Sequence, residues 1–227
     1  MTNKTTKICY TLALLASVAA TPAFSQAKNF SGTNLAIKGS LNGAESGFVD
    51  AETNGINSAR FKFGDVSSNV GVDLSHGFEI NDKFVLGFGV TADFGKTKIG
   101  GANLTLLDGE DTITASASGN IKDNKSIYIQ PTYIVSSNSA VFAKLGYNEA
   151  KVSFTDLNDV SGSKTTNGLT YGLGLKTFLN PAVFLQVEGL ITEYDKEVLA
   201  ANYEESGFDI SVEPKVYSAV ISIGYKF

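Results

Sequence analysis

The sequence has very few residues of the kinds that bind metals or cross-link chains. It contains one cysteine, one histidine and no tryptophan. The cysteine, Cys9, lies in an N-terminal segment that we expect to be removed, so the mature chain has none for a disulfide. The sequence also has no clustered His/Cys set for zinc. An exported protein without disulfides needs another source of stability, and a closed hydrogen-bonded barrel provides one.

Positive charge is also scarce, and long apolar runs are missing beyond the N-terminus. Lys and Arg number 18 against 23 Asp and Glu, a net charge of −5. This balance leaves no basic patch for nucleic acid, so we expect no nucleic-acid partner. After the first thirty residues, nothing approaches the ~20 consecutive apolar residues of a membrane-spanning helix.

The N-terminal stretch has the three parts of a secretory signal peptide. Lys4 and Lys7 precede an apolar run from Ile8 to Ala20, and Ser25-Gln26-Ala27 offers small residues for cleavage. This pattern predicts a signal peptide over residues 1–27, cleaved after Ala27, with Ser25 as the alternative site. The remainder, 28–227, has 16 Lys and Arg against 23 Asp and Glu, a net charge of −7. It is predicted to form one domain and to need no cofactor.

The final stretch, from Ala219 to Phe227, alternates strictly between apolar and small or polar residues. Successive side chains of a strand point to opposite faces, so one face of this stretch is wholly apolar. The apolar positions are Ala219, Ile221, Ile223, Tyr225 and Phe227, and between them stand Val220, Ser222, Gly224 and Lys226. A strand with one apolar face, ending in an aromatic residue, suits a sheet whose outer face meets lipid.

The same alternation recurs along the chain and predicts eight strands, the first from Asn34 to Leu41. It is clearest from Phe84 to Gly95, and short turns are predicted at Asn81-Asp82, 136–138 and 180–182. Long polar segments separate the other strands, at 44–57, 96–124, 149–166 and 193–213. A hairpin extension is predicted within the second of these segments, over Thr112 to Ser118. Long and short connections therefore alternate along the chain.

These features resemble the small eight-stranded outer-membrane barrels of Gram-negative bacteria, of the OmpA/OmpX-like superfamily. The resemblance implies an all-β, antiparallel, up-and-down eight-stranded transmembrane β-barrel with short periplasmic turns and long external loops. It also implies that the barrel-assembly machinery reads the terminal strand through Phe227 and the apolar residues behind it. The resemblance to OmpA extends only to the barrel, so we expect no peptidoglycan-binding domain after Phe227. A soluble lipocalin-like barrel is the alternative, but it would place the bulky apolar residues inside.

The inward face of the predicted barrel carries three cations and three anions. These residues are Lys38, Asp73, Asp93, Lys144, Lys176 and Glu188. Charges inside a narrow barrel are costly unless they are paired, so we expect a salt-bridge network that also includes Gln186 and nearby hydroxyls. Because eight strands leave a lumen that side chains can fill, a wide pore is not expected.

Three functional hypotheses follow. The first is a non-enzymatic barrel whose external loops have a structural, adhesive or host-binding role, with outer-membrane lipid and lipopolysaccharide as its surroundings. The second is a narrow channel, and the third is a lipid-modifying enzyme. Catalysis is not expected, since His76 is predicted to face lipid near the periplasmic rim, away from the external loops. The acidic last loop offers weak candidate ligands for a divalent cation, namely Glu204, Glu205 and Asp209, without EF-hand spacing.

Overall fold

The computed structural model describes residues 27–49, 66–108, 111–155, 161–195, 197–200 and 209–227. In these residues the chain forms one short helix, α1 (Ala27–Phe30), and ten strands. The strands are β1 (Gly32–Val49), β2 (Ser67–Asn81), β3 (Phe84–Phe94), β4 (Lys96–Asp108), β5 (Asp111–Ile134), β6 (Ser139–Thr155), β7 (Ser161–Phe178), β8 (Val183–Tyr194), β9 (Glu197–Ala200) and β10 (Asp209–Lys226).

Eight of these strands form a closed antiparallel barrel. Their order is β1, β2, β3, β5, β6, β7, β8 and β10, and β10 pairs with β1 to close the ring. Ile37 of β1, for example, stands opposite Val72 on one side and Ile223 on the other. The remaining two strands are additions, since β4 pairs with β5 and β9 pairs with β10. The predicted eight-stranded, up-and-down barrel is therefore confirmed.

One end of the barrel is called the turn end here. It carries three short connections between strands, the start of β1 and the end of β10. At Asn81 the side-chain Oδ1 accepts hydrogen bonds from the backbone N–H groups of Lys83 and Phe84. Asn180 accepts in the same way from Ala182 and Val183. An asparagine that satisfies backbone donors two and three residues onward stabilises a tight turn. The tight turns predicted at these places are confirmed.

At the opposite end, called the loop end, the strands continue far beyond the predicted boundaries. β1 stays paired with β10 from the barrel up to the Val49–Ser211 pair. β4 and the first part of β5 form a hairpin that closes at the Asp108–Asp111 pair. The predicted hairpin extension over Thr112 to Ser118 is correct, but the expected loops at 44–57 and 96–124 begin as strand. The alternation in the sequence also slips near Gly64 and Asp65, which predicts a bulge, but these two residues lie outside the described part of the chain.

The apolar face of the strands points outward and the face of small and polar residues points into the lumen, as the alternation predicts. Outward side chains are widely exposed, including Ile37 at 65%, Leu173 at 70% and Ile221 at 56%. Inward residues on the same strands are buried, among them Lys38, Thr170 and Ser222. A continuous apolar outer face of this kind is characteristic of a barrel surrounded by lipid. No helix in the described residues is both long and apolar enough to cross a membrane.

The helix α1 fills the turn end of the barrel, which the sequence did not predict. Phe30 is 3% exposed, and its ring packs edge-on against Phe178 at 5.2 Å between centroids. Phe178 in turn contacts Phe184 at 5.6 Å. The Lys226 ammonium donates hydrogen bonds to the carbonyls of Lys28 and Asn29, at 2.8 and 3.0 Å. These contacts tie α1 to the closing strand and leave an aromatic layer across this end of the lumen.

Candidate functional site

The middle of the lumen is built around Lys144, which lies between two carboxylates. Its Nζ is 2.5 Å from Glu188 Oε2 and 3.8 Å from Asp73 Oδ2. Gln186 donates a hydrogen bond of 2.8 Å to Glu188, and the Tyr128 hydroxyl donates to both oxygens of Asp73, at 2.8 and 2.9 Å. The three charged side chains are between 2 and 9% exposed. Each buried carboxylate is thus both paired with a cation and hydrogen-bonded, which buried charges require.

Tyr128 is a member of this cluster that the sequence reasoning missed. The side chain lies on the inward phase of β5 between the outward residues Ile127 and Ile129, so its position could have been read from the alternation. Gly89 on the adjacent strand makes room for it, because a Cβ there would collide with the Tyr128 ring. The Lys144 ammonium also lies 4.3 Å from the centre of the Tyr128 ring.

A second ion pair lies closer to the loop end. Lys38 Nζ is 2.8 Å from Asp93 Oδ1, and Asn124 donates a hydrogen bond of 2.9 Å to the other oxygen of Asp93. From Asn124 the polar contacts continue to Asn148 at 3.0 Å, and the Thr170 hydroxyl donates to Asn148 at 2.7 Å. This chain of contacts joins β3, β5, β6 and β7 across the upper lumen.

Lys176 departs from the expected network. In the described residues it has no carboxylate within the 4.0 Å that defines an ion pair. Its Nζ instead donates a hydrogen bond of 3.1 Å to Asn34 and lies 3.8 Å from the centre of the Phe184 ring. The prediction that all six charges form ion pairs is therefore wrong for this residue. Lys176 lies next to the aromatic layer at the turn end, where an amide oxygen and a ring face supply the negative potential.

The filled lumen leaves little open space. A cavity of about 40 Å³ lies near the loop end, bordered by Asn42, Asn69 and Asp93 among others. A second of about 20 Å³ lies near the turn end, beside Phe30, Asn34 and Lys176. One water needs roughly 10–15 Å³ of such volume, so each cavity holds a few water molecules at most. At these levels side chains occupy the lumen, and their ion pairs and hydrogen bonds join strands across it.

The residues of the predicted assembly signal lie on the outer face of β10. Ile221, Ile223 and Tyr225 are 50 to 56% exposed, and Ala219 shares their face. Phe227 is 72% exposed, packs its ring against Tyr225 at 5.2 Å, and donates its backbone N–H to Thr33. The C-terminal residue is therefore fixed at the barrel seam with its ring facing outward. Its recognition during assembly stays a prediction.

His76 lies on the outer face near the turn end. It contacts the Thr33 hydroxyl at 2.9 Å, and its ring packs on Phe78 at 4.6 Å. The candidate metal ligands Glu204 and Glu205 lie outside the described residues, and Asp209 is the first residue of β10, opposite Ala200. No group of three or more His, Cys, Asp or Glu side chains suited to a metal ion occurs in the part of the chain that the structure describes.

Comparison with known proteins identifies the family. A family model described as the outer membrane protein beta-barrel domain matches residues 11–227. The chain belongs to this family. As an outer-membrane β-barrel, it lies in the outer membrane with its turn end toward the periplasm and its loop end outside. No curated protein matches the chain.

Several solved structures of outer-membrane proteins are similar to this chain at low sequence identity. Ail, the attachment invasion locus protein of Yersinia pestis, is 17% identical, with a TM-score of 0.47 and coverage of 87% of this chain and 99% of Ail. OprG from Pseudomonas aeruginosa is 14% identical, with a TM-score of 0.46 and coverage of 87% and 97%. The outer membrane protease OmpT from Escherichia coli is 11% identical, with a TM-score of 0.48 and coverage of 93% and 99%.

Proposed function

We propose that this outer-membrane β-barrel is a non-enzymatic protein that presents its external hairpins at the surface of a Gram-negative cell, in an adhesive, structural or host-interaction role. The observation that carries the proposal is the length of the strands beyond the lipid-facing band. The last outward apolar residue of β3 is Phe94, yet β4 runs for a further 13 residues and pairs with β5 along its length. Ordered backbone outside the membrane is a suitable platform for binding.

The lumen supports the same proposal because it is occupied. The Lys144 cluster, the Lys38–Asp93 pair and the aromatic layer fill successive levels of the barrel. A channel would need a continuous polar path, and among the described residues the cavities near the two ends, of about 40 and 20 Å³, are far smaller than such a path. We therefore place the function on the external surface and keep a narrow channel as the alternative to be tested.

The absence of catalysis is part of the proposal. The single histidine, His76, faces outward at the turn end and contacts a threonine hydroxyl and a phenylalanine ring. A serine or aspartate at the loop end would have no histidine base within reach. Lipid A from cells with and without the gene should therefore have the same mass spectrum, and a gene-dependent change in acylation would contradict this part.

We further propose that the protein reaches the membrane by a cleaved signal peptide, residues 1–27, and by recognition of the terminal strand by the barrel-assembly machinery. External partners are expected to be host or neighbouring-cell ligands, with lipopolysaccharide surrounding the barrel. The acidic segment that contains Glu204 and Glu205 is a weak candidate for a divalent cation in that setting.

The test is a binding assay with a trimmed hairpin. In the trimmed variant, residues 101–118 are replaced by Asn-Gly, a sequence favoured in two-residue hairpin turns. The matched control replaces residues 156–160 by Gly and Ser without changing the chain length. Binding of labelled cells to host matrix or partner cells should fall several-fold in the trimmed variant and remain near wild type in the control. Equal binding by all three, with both variants folded, would contradict the proposal.

A further inference from the structure

Three lysines stand side by side on the outer face of the barrel at its loop end. Lys96 of β4 is paired in register with Lys122 of β5, and Lys122 is paired with Lys151 of β6. Residues directly opposite in antiparallel strands project from the same face, with Cβ atoms roughly 4.5–5.5 Å apart. The outward direction is set by buried neighbours along each strand, which are Thr97, Ile121 and Val152. These three residues form what we call the lysine row.

The lysine row lies just above the lipid-facing band. Phe94 is 56% exposed and precedes Lys96 by one outward step. On β6 the last outward aromatic residue is Tyr147, 49% exposed, and Lys151 lies two outward steps beyond it. Steps of two residues advance a strand by about 7 Å, and the tilt of barrel strands reduces the height gained. Lys96 therefore lies about 5 Å and Lys151 about 10 Å above the aromatic residue below it, so the row extends from the headgroup layer, which is about 5–8 Å thick, to its outer edge.

Positive charge predominates around the row. Lys125 is also exposed at its edge, and in the part of the chain that the structure describes the carboxylates facing the row are those of Asp123 and Glu149. Asp123 lies 3.3 Å from Lys151, but both side chains are more than half exposed, at 55 and 53%. Glu149 stands opposite Lys125. Among these described residues, four lysines against two carboxylates is a local excess of positive charge on a chain whose net charge is −5.

On the opposite side of the loop end, formed by β8, β10 and β1, negative charge is as common as positive charge. There Lys215 and Glu193 lie 2.5 Å apart, and the Tyr217 hydroxyl donates to Glu45 at 3.4 Å. In the described residues of that side, acids balance or exceed lysines. Within the described residues, the positive surface is therefore confined to the face formed by β4, β5 and β6.

Like charges directly opposite each other destabilise a sheet, and the Lys151–Asp123 pair is too exposed to water to offset much of that cost, so a further anion against the row would stabilise it. The anions available at this level are the phosphates of lipids, and the apolar residues directly below the row would contact the acyl chains of the same molecule. We propose that the lysine row binds the phosphate groups of lipopolysaccharide in the outer leaflet. A phosphorylated lipid can contact both the lysine row and the apolar residues below it, whereas a free anion can contact only the lysine row.

The test compares two triple variants that each lose three positive charges. The first is Lys96→Gln/Lys122→Gln/Lys151→Gln, and the control is Lys28→Gln/Lys83→Gln/Lys215→Gln, which lies away from the row. Native mass spectrometry of the refolded barrels in non-ionic detergent measures binding of bisphosphorylated lipid A and of the same lipid after dephosphorylation. Each lysine near an anionic lipid surface contributes about fivefold, so the row variant should bind roughly 100-fold more weakly, and the control less than about fivefold.

Further measurements separate the sources of binding. Wild-type affinity for bisphosphorylated lipid A should fall with added salt, whereas the dephosphorylated lipid should bind weakly at every salt concentration. A third variant with arginine at all three positions should bind like wild type. The proposal would be overturned if the row variant kept wild-type affinity, or if the dephosphorylated lipid bound equally well. It would also be overturned if inorganic phosphate displaced the lipid at comparable concentration.

This inference is independent of the adhesive role. The trimmed hairpin variant retains all three lysines of the row, so it should lose cell binding and keep lipid A binding. Loss of lipid binding in that variant would indicate that the phosphate site lies in the hairpin rather than in the row, and would contradict the assignment.

Discussion

Removing Lys144 should cost the barrel a large part of its stability. Among the described residues, this lysine is the cation that pairs with both Asp73 and Glu188, at 3.8 and 2.5 Å, and its side chain is 6% exposed. Lys144→Met keeps a similar volume but leaves two buried carboxylates without their cation. Breaking a buried ion pair by removing one partner costs about 3–5 kcal/mol, and the low exposure of these groups leaves little screening by water.

The second half of this prediction is that neutralising Glu188 restores part of the stability lost in Lys144→Met. In Lys144→Met/Glu188→Gln the nearest carboxylate is also neutral, and Asp73 keeps its hydrogen bonds from Tyr128. The double variant should therefore be less destabilised than the sum of the two single variants, by roughly 1–3 kcal/mol. The exposed lysine of the turn end provides a control, since Lys83→Met should change stability by less than about 0.5 kcal/mol.

The assay is urea unfolding in lipid vesicles, followed by the fraction of protein that migrates as the folded form without boiling. Electrophoretic mobility is the practical signal because the sequence contains no tryptophan. A loss below about 1 kcal/mol for Lys144→Met, or strict additivity in the double variant, would refute the view that these charges form a buried, mutually dependent cluster.

Three other predictions address assembly, packing and processing. Phe227→Ala should reduce the amount of folded protein in the outer membrane, and normal membrane levels would contradict a role for the terminal residue in assembly. Gly224→Ala should destabilise the barrel by about 1–3 kcal/mol, because a Cβ there collides with the Phe184 ring, whereas Gly39→Ala should be tolerated because nothing lies within 4 Å of the added atom. Equal urea midpoints for these two variants would contradict the packing argument. N-terminal sequencing of protein from outer membranes should begin at Lys28 or, by the alternative cleavage, two residues earlier, and an intact N-terminus would disprove the signal-peptide prediction.

The lipid-spanning part of the fold was predictable because residue type alternates along a strand that has one face in lipid and the other in the lumen. Each side chain alternates between lipid and lumen, so the identity of the inward residues on β1, β6 and β10 follows from simple counting. The turns at Asn81 and Asn180 were predictable for a local reason, since an asparagine can satisfy the backbone donors that follow it.

The external strands were not predictable in the same way. From Lys96 to Asp108 the chain leaves the membrane, and water on the outer face removes the apolar half of the alternation. The bulge between Lys122 and Lys125 also shifts the phase by one residue, with Asp123 at a positive φ of 55°. The lysine row is therefore visible only after the register across three strands is known.

Which charged residues contact one another within the lumen also could not be predicted without the three-dimensional structure. The sequence identified the six inward charges but could not say which would meet. Lys176 lies beside Phe184 because α1 and its aromatic neighbours occupy the turn end, and no alternation pattern specified that helix. Contacts between residues far apart in sequence are set by register and curvature, which a single strand does not encode.

The central claim is that the lumen is closed and that the protein acts through its external surface. Single-channel recording tests this most directly, with purified protein inserted into planar lipid bilayers at defined voltage and a general porin as the positive control. We predict no reproducible unitary conductance from the wild-type barrel, even when electrophoresis of the same sample shows that it is folded. Reproducible unitary currents from the wild-type protein would contradict the account.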